Sequence, residues 1–419
     1  MHFRFDEETE ETAEQELARR LQQPAATQSS GSYGACTSLH AVNVLKTDFD
    51  SGDQCYVFDV AASVTTGIVA AALSNHTVKL YNARDSGGFT YLGELKGHTD
   101  VISEIAFAGE DNPHALYSSS EDGSVRGWDS RTGQQAESFA AGTGKLFSFS
   151  LMGNYLSAGS DGQILFWDRR TGKQCGAFTD THAEDVTQVN FCHNRLISGS
   201  VDGLINVFDI STGFDEDEGF LAALNIDNSV SRVGLYGLQN EKLWCLSHTE
   251  TLHLWEWVAA CDEESAGGQG VLGEDRNARA SLTQAASMTP GADALGPVLD
   301  YLISCTYSPR TSELLLLAGN NQGAVGCFPV AEPSAPGGTC TFAGAKALLS
   351  GGHNSVVRSL LWSDSGVLLS GGEDARLVQW SVQPAAGGEE TQTIHKPSQR
   401  VSNTVTRKDQ AARRRQFPY

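Results

Sequence analysis

Basic residues are scarce in this chain of 419 residues, which carries 29 lysines and arginines against 51 aspartates and glutamates and has a formal net charge of −22. A surface with this excess of negative charge repels phosphate groups, because nucleic-acid binding requires a basic face. Anionic membrane surfaces are disfavoured for the same reason. We therefore expect neither nucleic acid nor a membrane as a partner of the body of the chain.

Paired cysteines are also lacking. None of the nine cysteines lies in a Cys-x-x-Cys pair and their number is odd, which disfavours both a metal cluster and a disulfide framework. The chain starts without an apolar stretch of the signal-peptide type, and no run approaches the roughly 18 apolar residues of a membrane helix. These absences favour a reducing compartment, so we expect a nuclear or cytoplasmic protein that is not secreted.

Motifs of nucleotide binding and hydrolysis are absent as well. The sequence has no Gly-x-x-x-x-Gly-Lys-Ser/Thr loop for phosphates, no Gly-x-Ser-x-Gly nucleophile motif and no His-x-x-x-His metal motif. We therefore expect no enzymatic activity, no catalytic or metal-binding residues and no cofactor.

One pattern recurs along the chain. In each clear copy, small or hydroxyl residues are followed by Asp-Gly or Asp-Ala and then by a strand of alternating apolar and polar residues that ends in an aromatic residue. Four clear copies lie at 117–133, 156–172, 197–213 and 369–382. Three weaker copies lie at 72–83, 246–257 and 317–330. The closing aromatics are Tyr81, Trp128, Trp167, Phe208, Trp255, Phe328 and Trp380. By subtraction the first five lie 39–47 residues apart, close to the ~40–45-residue period of a propeller blade.

A histidine and a short strand precede several of these turns, at Gly97-His98, Thr181-His182 and Gly352-His353. A His, a strand, an Asp-turn and an aromatic end, repeated in this order, resemble the WD-repeat β-propeller family. The resemblance implies an all-β, seven-bladed propeller over 38–382 that acts as a non-enzymatic scaffold for protein–protein interaction. We expect a monomer. The sequence of blades 4 to 7 further resembles one narrower group within this family.

The segments outside the blades have a different composition. Residues 1–37 are acidic and predicted to be disordered or helical, and residues 383–419 form a basic tail predicted to be disordered. The insertion 258–297, rich in Ala, Gly, Ser and acidic residues, is predicted to be a long, largely disordered loop between blades 5 and 6. The resemblance also implies that residues 38–45 supply the outer strand of blade 7 and so close the ring.

The motif residues have a structural interpretation, because a His, a hydroxyl, a turn Asp and a Trp can form one buried hydrogen-bonded network in a blade. The candidate members are His98, Ser118, Asp122, Trp128, Asp161, Trp167, His182, Ser198, Asp202, His353, Ser370, Asp374 and Trp380. A Ser-His-Asp catalytic triad is the alternative, as in a propeller hydrolase. It is disfavoured because the set recurs between blades, whereas an enzyme would show one converged polar cluster in the central channel.

Two partner surfaces follow from other residues. Trp128-Asp129-Ser130-Arg131 and Trp167-Asp168-Arg169-Arg170 both fit Trp-Asp-x-Arg, a motif that resembles the docking sequence of substrate receptors on the adaptor of cullin–RING ubiquitin ligases. Such a role would assign Arg131 and Arg170 to adaptor binding. The alternative is that an Arg at this place is a solvated turn residue of many WD repeats.

The second surface is an acidic rim. Carboxylates in the Asp-turns and in the loops before the first strands share one face of the predicted propeller, where they suit basic, histone-like peptides. They are Asp100, Glu121, Glu184, Asp185 and Glu373. The alternative interpretation is that these carboxylates cap turns and maintain solubility.

The C-terminal segment reverses the sign of the charge. From 396 to 419 there are seven basic residues and one acidic residue, and this composition favours a nuclear localisation signal. The alternatives are that this basic stretch contacts RNA or only offsets the charge of the acidic body. Its candidate residues are Arg407, Lys408, Arg413, Arg414 and Arg415. A fluorescent fusion that lacks 396–419 and stays nuclear would contradict this expectation.

Overall fold

Short runs of β-branched and aromatic residues between Gly and Asp turns form four-stranded antiparallel sheets. The computed structural model describes residues 36–48, 55–84, 88–142, 144–261, 270–362 and 367–381. Within these ranges seven blades follow one another along the chain, and they form six hydrogen-bonded sheets because one strand joins the last two blades. This confirms the predicted all-β, seven-bladed propeller. Apart from residues 36 and 37, the predicted terminal extensions and the candidate nuclear signal lie outside the described residues.

The first four blades are regular. Blade 1 contains β2 (Val57–Ser63), β3 (Ile68–Leu73), β4 (Val78–Asn82) and β5 (Thr90–Leu95). Blade 2 contains β6 (Ile102–Phe107), β7 (Ala115–Ser120), β8 (Ser124–Asp129) and β9 (Gln134–Ala140). Blade 3 contains β10 (Ser148–Met152), β11 (Tyr155–Gly159), β12 (Ile164–Asp168) and β13 (Lys173–Phe178). Blade 4 contains β14 (Val186–Cys192), β15 (Arg195–Ser200), β16 (Leu204–Asp209), the short helix α1 (Glu216–Gly219) and β17 (Phe220–Asn225).

The last three blades carry additional elements. Blade 5 contains β18 (Val230–Tyr236), β19 (Lys242–Ser247), β20 (Leu252–Trp255), α2 (Trp257–Ala260) and β21 (Val271–Asp275), and is followed by α3 (Ala278–Ser287) and a 3₁₀ turn (Asp293–Leu295). Blade 6 contains β22 (Tyr301–Ser308), β23 (Glu313–Gly319), β24 (Val325–Ala331), β26 (Thr341–Phe342) and β27 (Ala347–Leu349), and β25 (Gly338–Thr339) extends blade 5. Blade 7 contains β28 (Val357–Trp362), β29 (Leu368–Gly372), β30 (Arg376–Ser381) and, from the chain start, β1 (Thr37–Lys46).

The first strand of each blade lies innermost. These seven strands contact one another in a closed circle around a central channel. We call the edge at which they begin the upper face and the opposite edge the lower face. Because the pairing is antiparallel, the turn between the second and third strands also lies on the upper face, as the pair Ile102↔Ser120 shows.

The hydrophobic core consists of layers between neighbouring blades, and the closing aromatics occupy these layers. Trp128 packs against Leu80 of blade 1, Trp167 against the layer that includes Phe139 of blade 2, and Trp380 against the layer shared with blade 6. All seven closing aromatics are buried. Burial of a large apolar side chain contributes roughly 1.5–3 kcal/mol to the stability of a fold. The closing aromatics therefore hold each blade to the preceding one.

Polar contacts around the channel join the blades a second time. At the first three junctions a side chain of one innermost strand accepts a backbone N–H of the next. Asp59 Oδ2 accepts from Ile105 at 3.0 Å, Glu104 Oε2 from Phe149 at 3.0 Å and Ser148 Oγ from Val189 at 2.8 Å.

The remaining four junctions complete the circle. Thr187 Oγ1 donates to the carbonyl of Val230 at 3.0 Å, and Glu250 Oε2 accepts from the Leu302 N–H at 2.6 Å. Tyr301 Oη accepts from the Val357 N–H at 2.8 Å and Ser359 Oγ from the Val60 N–H at 3.2 Å. Each junction thus satisfies a buried backbone group that would otherwise cost about 1–3 kcal/mol.

The ring is closed by β1, which pairs antiparallel with β30 from His40↔Ser381 to Lys46↔Arg376. This confirms that residues 38–45 form the outer strand of blade 7. The first residues of β1 also pair in parallel with β27 of blade 6, from Thr37↔Ala347 to Leu39↔Leu349. One strand therefore joins the last two blades and covers their outer edges.

The predicted disordered loop at 258–297 is wrong over much of its length. Residues Val271–Asp275 pair with β20 as the outer strand of blade 5, and Ala278–Ser287 form a helix. The helix buries Ala278, Leu282, Ala285 and Ala286 against blades 5 and 6. The four buried residues have the spacing of one helix face. Three of them are alanines in a segment rich in Ala and Ser, so the sequence pattern did not indicate an apolar face. Residues 262–269 lie outside the described part.

A membrane span has no support in the helices of the described residues, since none is both long and apolar enough to cross a bilayer.

Candidate functional site

The predicted polar networks of blades 2 and 7 are assembled. In blade 2 the ring nitrogens of His98 lie 2.8 Å from Asp122 Oδ2 and 2.8 Å from Ser118 Oγ, and the Trp128 indole N–H donates to the same hydroxyl at 2.8 Å. Blade 7 repeats this geometry at 2.7–3.0 Å with His353, Asp374, Ser370 and Trp380. The hydroxyl thus accepts from the indole and can donate to His Nε2 while His Nδ1–H donates to the carboxylate.

Blade 4 builds a variant of the network. His182 lies 3.0 Å from Asp202 Oδ2 and 2.8 Å from Ser198 Oγ, but Phe208 offers no N–H at the place of the Trp. Asn206 lies beside the histidine instead, where its amide donates to the Thr181 carbonyl at 2.7 Å. Sequence reasoning missed Asn206, although its place two residues before the closing aromatic was visible.

Blade 3 lacks the network. It has Asp161 and Trp167 but no histidine in the preceding loop, and the buried hydroxyl of Ser157 has no hydrogen-bond partner among the described residues. Asp161 is exposed and forms an isolated bridge with Asp185 of blade 4. It therefore belongs to the upper surface rather than to a buried network.

Each network Asp also joins two backbone segments. Asp122 accepts the N–H of Ser124 in its own turn at 3.0 Å and that of Thr99 in the preceding loop at 3.1 Å. Asp202 and Asp374 make the same pair of contacts. Glycine follows this turn Asp at positive φ in blades 2 to 4, and Ala375 adopts φ 60° in blade 7.

Burial and hydrogen bonding determine the charges in these networks. Burial lowers the pKa of His98 and of His182 below its ordinary value. Burial alone would raise the pKa of Asp122, but hydrogen bonds from Ser124 and His98 outweigh it and the pKa is lowered. At His98 and His182, neutral imidazoles therefore lie beside the ionised carboxylates of Asp122 and Asp202 near neutral pH.

The geometry favours the structural interpretation over a catalytic triad. The side chains of Ser118, Ser198 and Ser370 belong to residues that are 0% exposed. No substrate can reach a hydroxyl in that position without opening the blade. The networks therefore hold the upper loops and turns in place.

The channel contains the converged polar cluster that the sequence analysis associated with an enzyme. Asp59 and Glu104 belong to it, and burial raises the pKa of both, to about 8 for Glu104. Arg232 faces the same channel and lowers both values through its charge. Both carboxylates accept backbone N–H groups of the next blade, so a junction role accounts for these residues. Sequence reasoning missed them because the contacts cross between blades.

Four of the five predicted rim carboxylates gather on the upper face of blades 2 to 4. Together with one further carboxylate and a lysine they form what we call the upper acidic cluster, which consists of Asp100, Glu121, Asp161, Glu184, Asp185 and Lys145. Lys145 pairs with Glu121, and the charges of Asp100 and Asp161 further raise its pKa. The fifth predicted carboxylate, Glu373, belongs to blade 7 and pairs with Arg358 at 2.7 Å.

The two Trp-Asp-x-Arg arginines lie on the lower face of blades 2 and 3. Arg131 binds the Asp129 carboxylate through Nε and an η nitrogen at 3.0 and 2.7 Å, and Arg170 binds Asp168 at 3.1 and 2.8 Å. These hydrogen bonds lower the pKa of Asp129 to about 2. Both arginine side chains remain over 60% exposed, so they are ordered and accessible.

Comparison with known proteins places these features in a family. The family model "WD domain, G-beta repeat" matches residues 89–129, 145–168, 173–209 and 346–381. WD repeat-containing protein GTS1 of Arabidopsis thaliana is 34% identical over 354 residues, which cover 81% of this chain and 83% of that protein. WD repeat-containing protein 89 homolog of Dictyostelium discoideum is 30% identical over 337 residues, which cover 80% and 84%. The narrower group that blades 4 to 7 resemble is that of WD repeat-containing protein 89, so this match confirms the prediction.

Solved structures support the architecture. A chain in the crystal structure of the mitotic checkpoint complex matches with a TM-score of 0.60 at 17% identity, over 85% of this chain and 96% of that chain. At this identity the likeness concerns the fold alone.

Removing the network hydroxyl should destabilise blade 2 more than blade 4. Ser118→Ala leaves two buried groups, on His98 and Trp128, without their partner, so we expect a loss of about 2–4 kcal/mol in unfolding free energy. Ser198→Ala removes the hydrogen-bond partner of His182 alone, so we expect a loss of about 1–2 kcal/mol in unfolding free energy. Urea denaturation of both variants measures the difference. Equal losses would show that the indole contact adds nothing.

Proposed function

The chain belongs to the WD-repeat β-propeller family that includes GTS1 and WD repeat-containing protein 89, and from this premise we propose that it binds a basic segment of a partner protein at the upper acidic cluster. Propellers of this family are generally non-enzymatic scaffolds for protein interaction. The observation that carries the proposal is the gathering of five carboxylates from three blades around one lysine. Such a patch favours a cationic partner by charge complementarity.

The carboxylates are available to a partner. Asp100, Asp161 and Glu184 are exposed, and Lys145 directly pairs with Glu121 alone. A basic segment would therefore meet several carboxylates whose charge no lysine or arginine of the described residues offsets by direct contact. The net charge of −22 for the whole chain adds a long-range attraction that speeds encounter at low salt.

Repulsion between Asp185 and the neighbouring carboxylates of Asp161 and Glu184 favours the binding of a cation. Burial raises the pKa of Asp185, and the charges of Asp161 and Glu184 raise it further. A lysine or arginine placed beside these three carboxylates relieves the repulsion and favours the ionised form of Asp185. Binding should therefore weaken as the pH falls through this raised pKa, because the protonated group no longer attracts a cation.

Charge reversal tests the proposal. The double variant Asp100→Lys with Glu184→Lys should reduce the affinity for arrays of lysine- and arginine-rich peptides at least tenfold, since it replaces two attractive charges by repulsive ones. The control is Glu110→Lys, which changes an exposed carboxylate in the β6–β7 turn on the lower face. Binding is measured at several salt concentrations, because the attraction should decline as salt screens it.

Equal peptide binding by the wild type and the double variant would contradict the proposal. Equal loss in the double variant and in Glu110→Lys would attribute binding to net charge rather than to this face.

A second candidate function concerns the lower face. The observation that favours it is that Arg131 and Arg170 occupy equivalent places in adjacent blades, each oriented by its own Asp and exposed. We propose that this pair serves as a docking motif for the adaptor of a cullin–RING ubiquitin ligase, which would make the chain a substrate receptor.

Purification of the tagged protein from cells checks this candidate. Co-purification of the adaptor with the wild type and its loss in the Arg131→Ala, Arg170→Ala double variant are expected. Absence of any adaptor from the wild-type purification would end the candidate.

A further inference from the structure

A cavity lies on the upper face, away from the upper acidic cluster. A half-open cavity of about 590 Å³ occupies the mouth of the channel where blades 5, 6, 7 and 1 meet. Its wall includes Phe58, Arg232, His248, Ile303, Asn321 and Arg358. The volume falls within the range of pockets that hold small molecules or a few residues of a peptide.

Most charged groups that line this cavity already have partners. Glu250 accepts the Leu302 N–H at 2.6 Å, and Asp300 accepts the Asn321 N–H at 2.7 Å. Arg358 donates to Glu373 at 2.7 Å. These groups hold the blade junctions and turns, so they are not free to reorganise around a ligand.

Arg232 is the exception. Its side chain is partly buried at the cavity, and its guanidinium makes no hydrogen bond or ion pair with any residue that the structure describes. The charge of Arg232 lowers the pKa of Asp59 and Glu104, but neither carboxylate forms an ion pair with it. A guanidinium has five N–H donors and binds carboxylates through two parallel hydrogen bonds.

We propose that this cavity binds a carboxylate carried by a partner peptide, with Arg232 as its anchor. Glu250 and Asp300 lie on the same wall and would repel a dianion such as a phosphoryl group more than a singly charged carboxylate. Phe58, which packs edge-on against Tyr56 with ring centroids 6.3 Å apart, and Ile303 are among the apolar residues that line the same cavity as Arg232. The ligand is therefore a carboxylate next to an apolar group.

Two sources share this chemistry, namely the free carboxyl terminus of a chain that ends in an apolar residue and an internal aspartate or glutamate beside an apolar residue. This site goes beyond the proposed function and does not depend on it, because its ligand has the opposite charge and its residues belong to other blades.

A peptide library distinguishes the sources. Immobilised full-length protein is exposed to random decapeptides with free carboxyl termini, to the same library with amidated termini, and to a phosphoserine library. We expect a selected subset with free or internal carboxylates to bind the wild type, and the same subset to bind Arg232→Gln at least tenfold more weakly. Dependence on the free terminus separates the first source from the second.

Control variants keep the experiment decisive. Arg310→Gln makes the same change at an exposed arginine of the β22–β23 turn on the lower face and should leave binding unchanged. Arg232→Lys keeps the charge but not the paired geometry and should retain part of the affinity. The Asp100→Lys, Glu184→Lys double variant should bind this subset as the wild type does, which separates this site from the upper acidic cluster.

Folding of the variant is checked by its melting temperature, which should fall only slightly, because the Arg232 guanidinium makes no hydrogen bond or ion pair with a described residue but its charge favours the ionised forms of Asp59 and Glu104. If Arg232→Gln unfolds, Ser231→Asp adds a competing carboxylate to the cavity wall and should cause the same loss of binding. Unchanged binding in the folded Arg232→Gln or Ser231→Asp variant would overturn the proposal, and preferential binding of phosphoserine peptides would overturn the choice of a carboxylate.

Discussion

The propeller depends on the strand that closes it. Strand β1 lies near the start of the sequence, yet it pairs with β30 of blade 7 and, through its first residues, with β27 of blade 6. Without it both blades would present unpaired backbone edges. The ring is also closed at its inner strands, where the Ser359 hydroxyl accepts the Val60 N–H and so joins the last blade to the first. Ring closure thus connects contacts that are about 300 residues apart in the chain.

A closed ring gives its surface charges a fixed arrangement. The networks of His98, His182 and His353 hold the upper loops against the Asp-turns, and the carboxylates of the acidic cluster lie in those same loops and turns. Arg232 faces the opposite part of the channel mouth. The upper face therefore presents a negative region on blades 2 to 4 and, in blade 5, a guanidinium that no described residue pairs with.

Features that recur once per blade could be predicted from the sequence, because every copy of the repeat has the same local structure and the copies can be compared with one another. The closing aromatics, the turn aspartates and the His–Ser–Asp sets belong to this group. Contacts specific to one place could not be predicted in this way. Asp59 and Glu104 act across blade junctions. Asn206 donates to the Thr181 carbonyl beside His182, in the blade whose closing aromatic is Phe208. The apolar face of α3 lies within an Ala- and Ser-rich insertion. Asp161 does not form the predicted network, because its blade has no histidine in the loop before its first strand.

The most direct test of the account is hydrogen exchange on a variant that lacks residues 1–46, with a variant lacking residues 1–34 as the control that keeps β1. Closure by β1 predicts that the first variant loses amide protection in β27 and β30, about 300 residues from the deletion, while the control keeps it. Unchanged protection across 347–381 in the variant without β1 would contradict the claim that this strand holds the ring together.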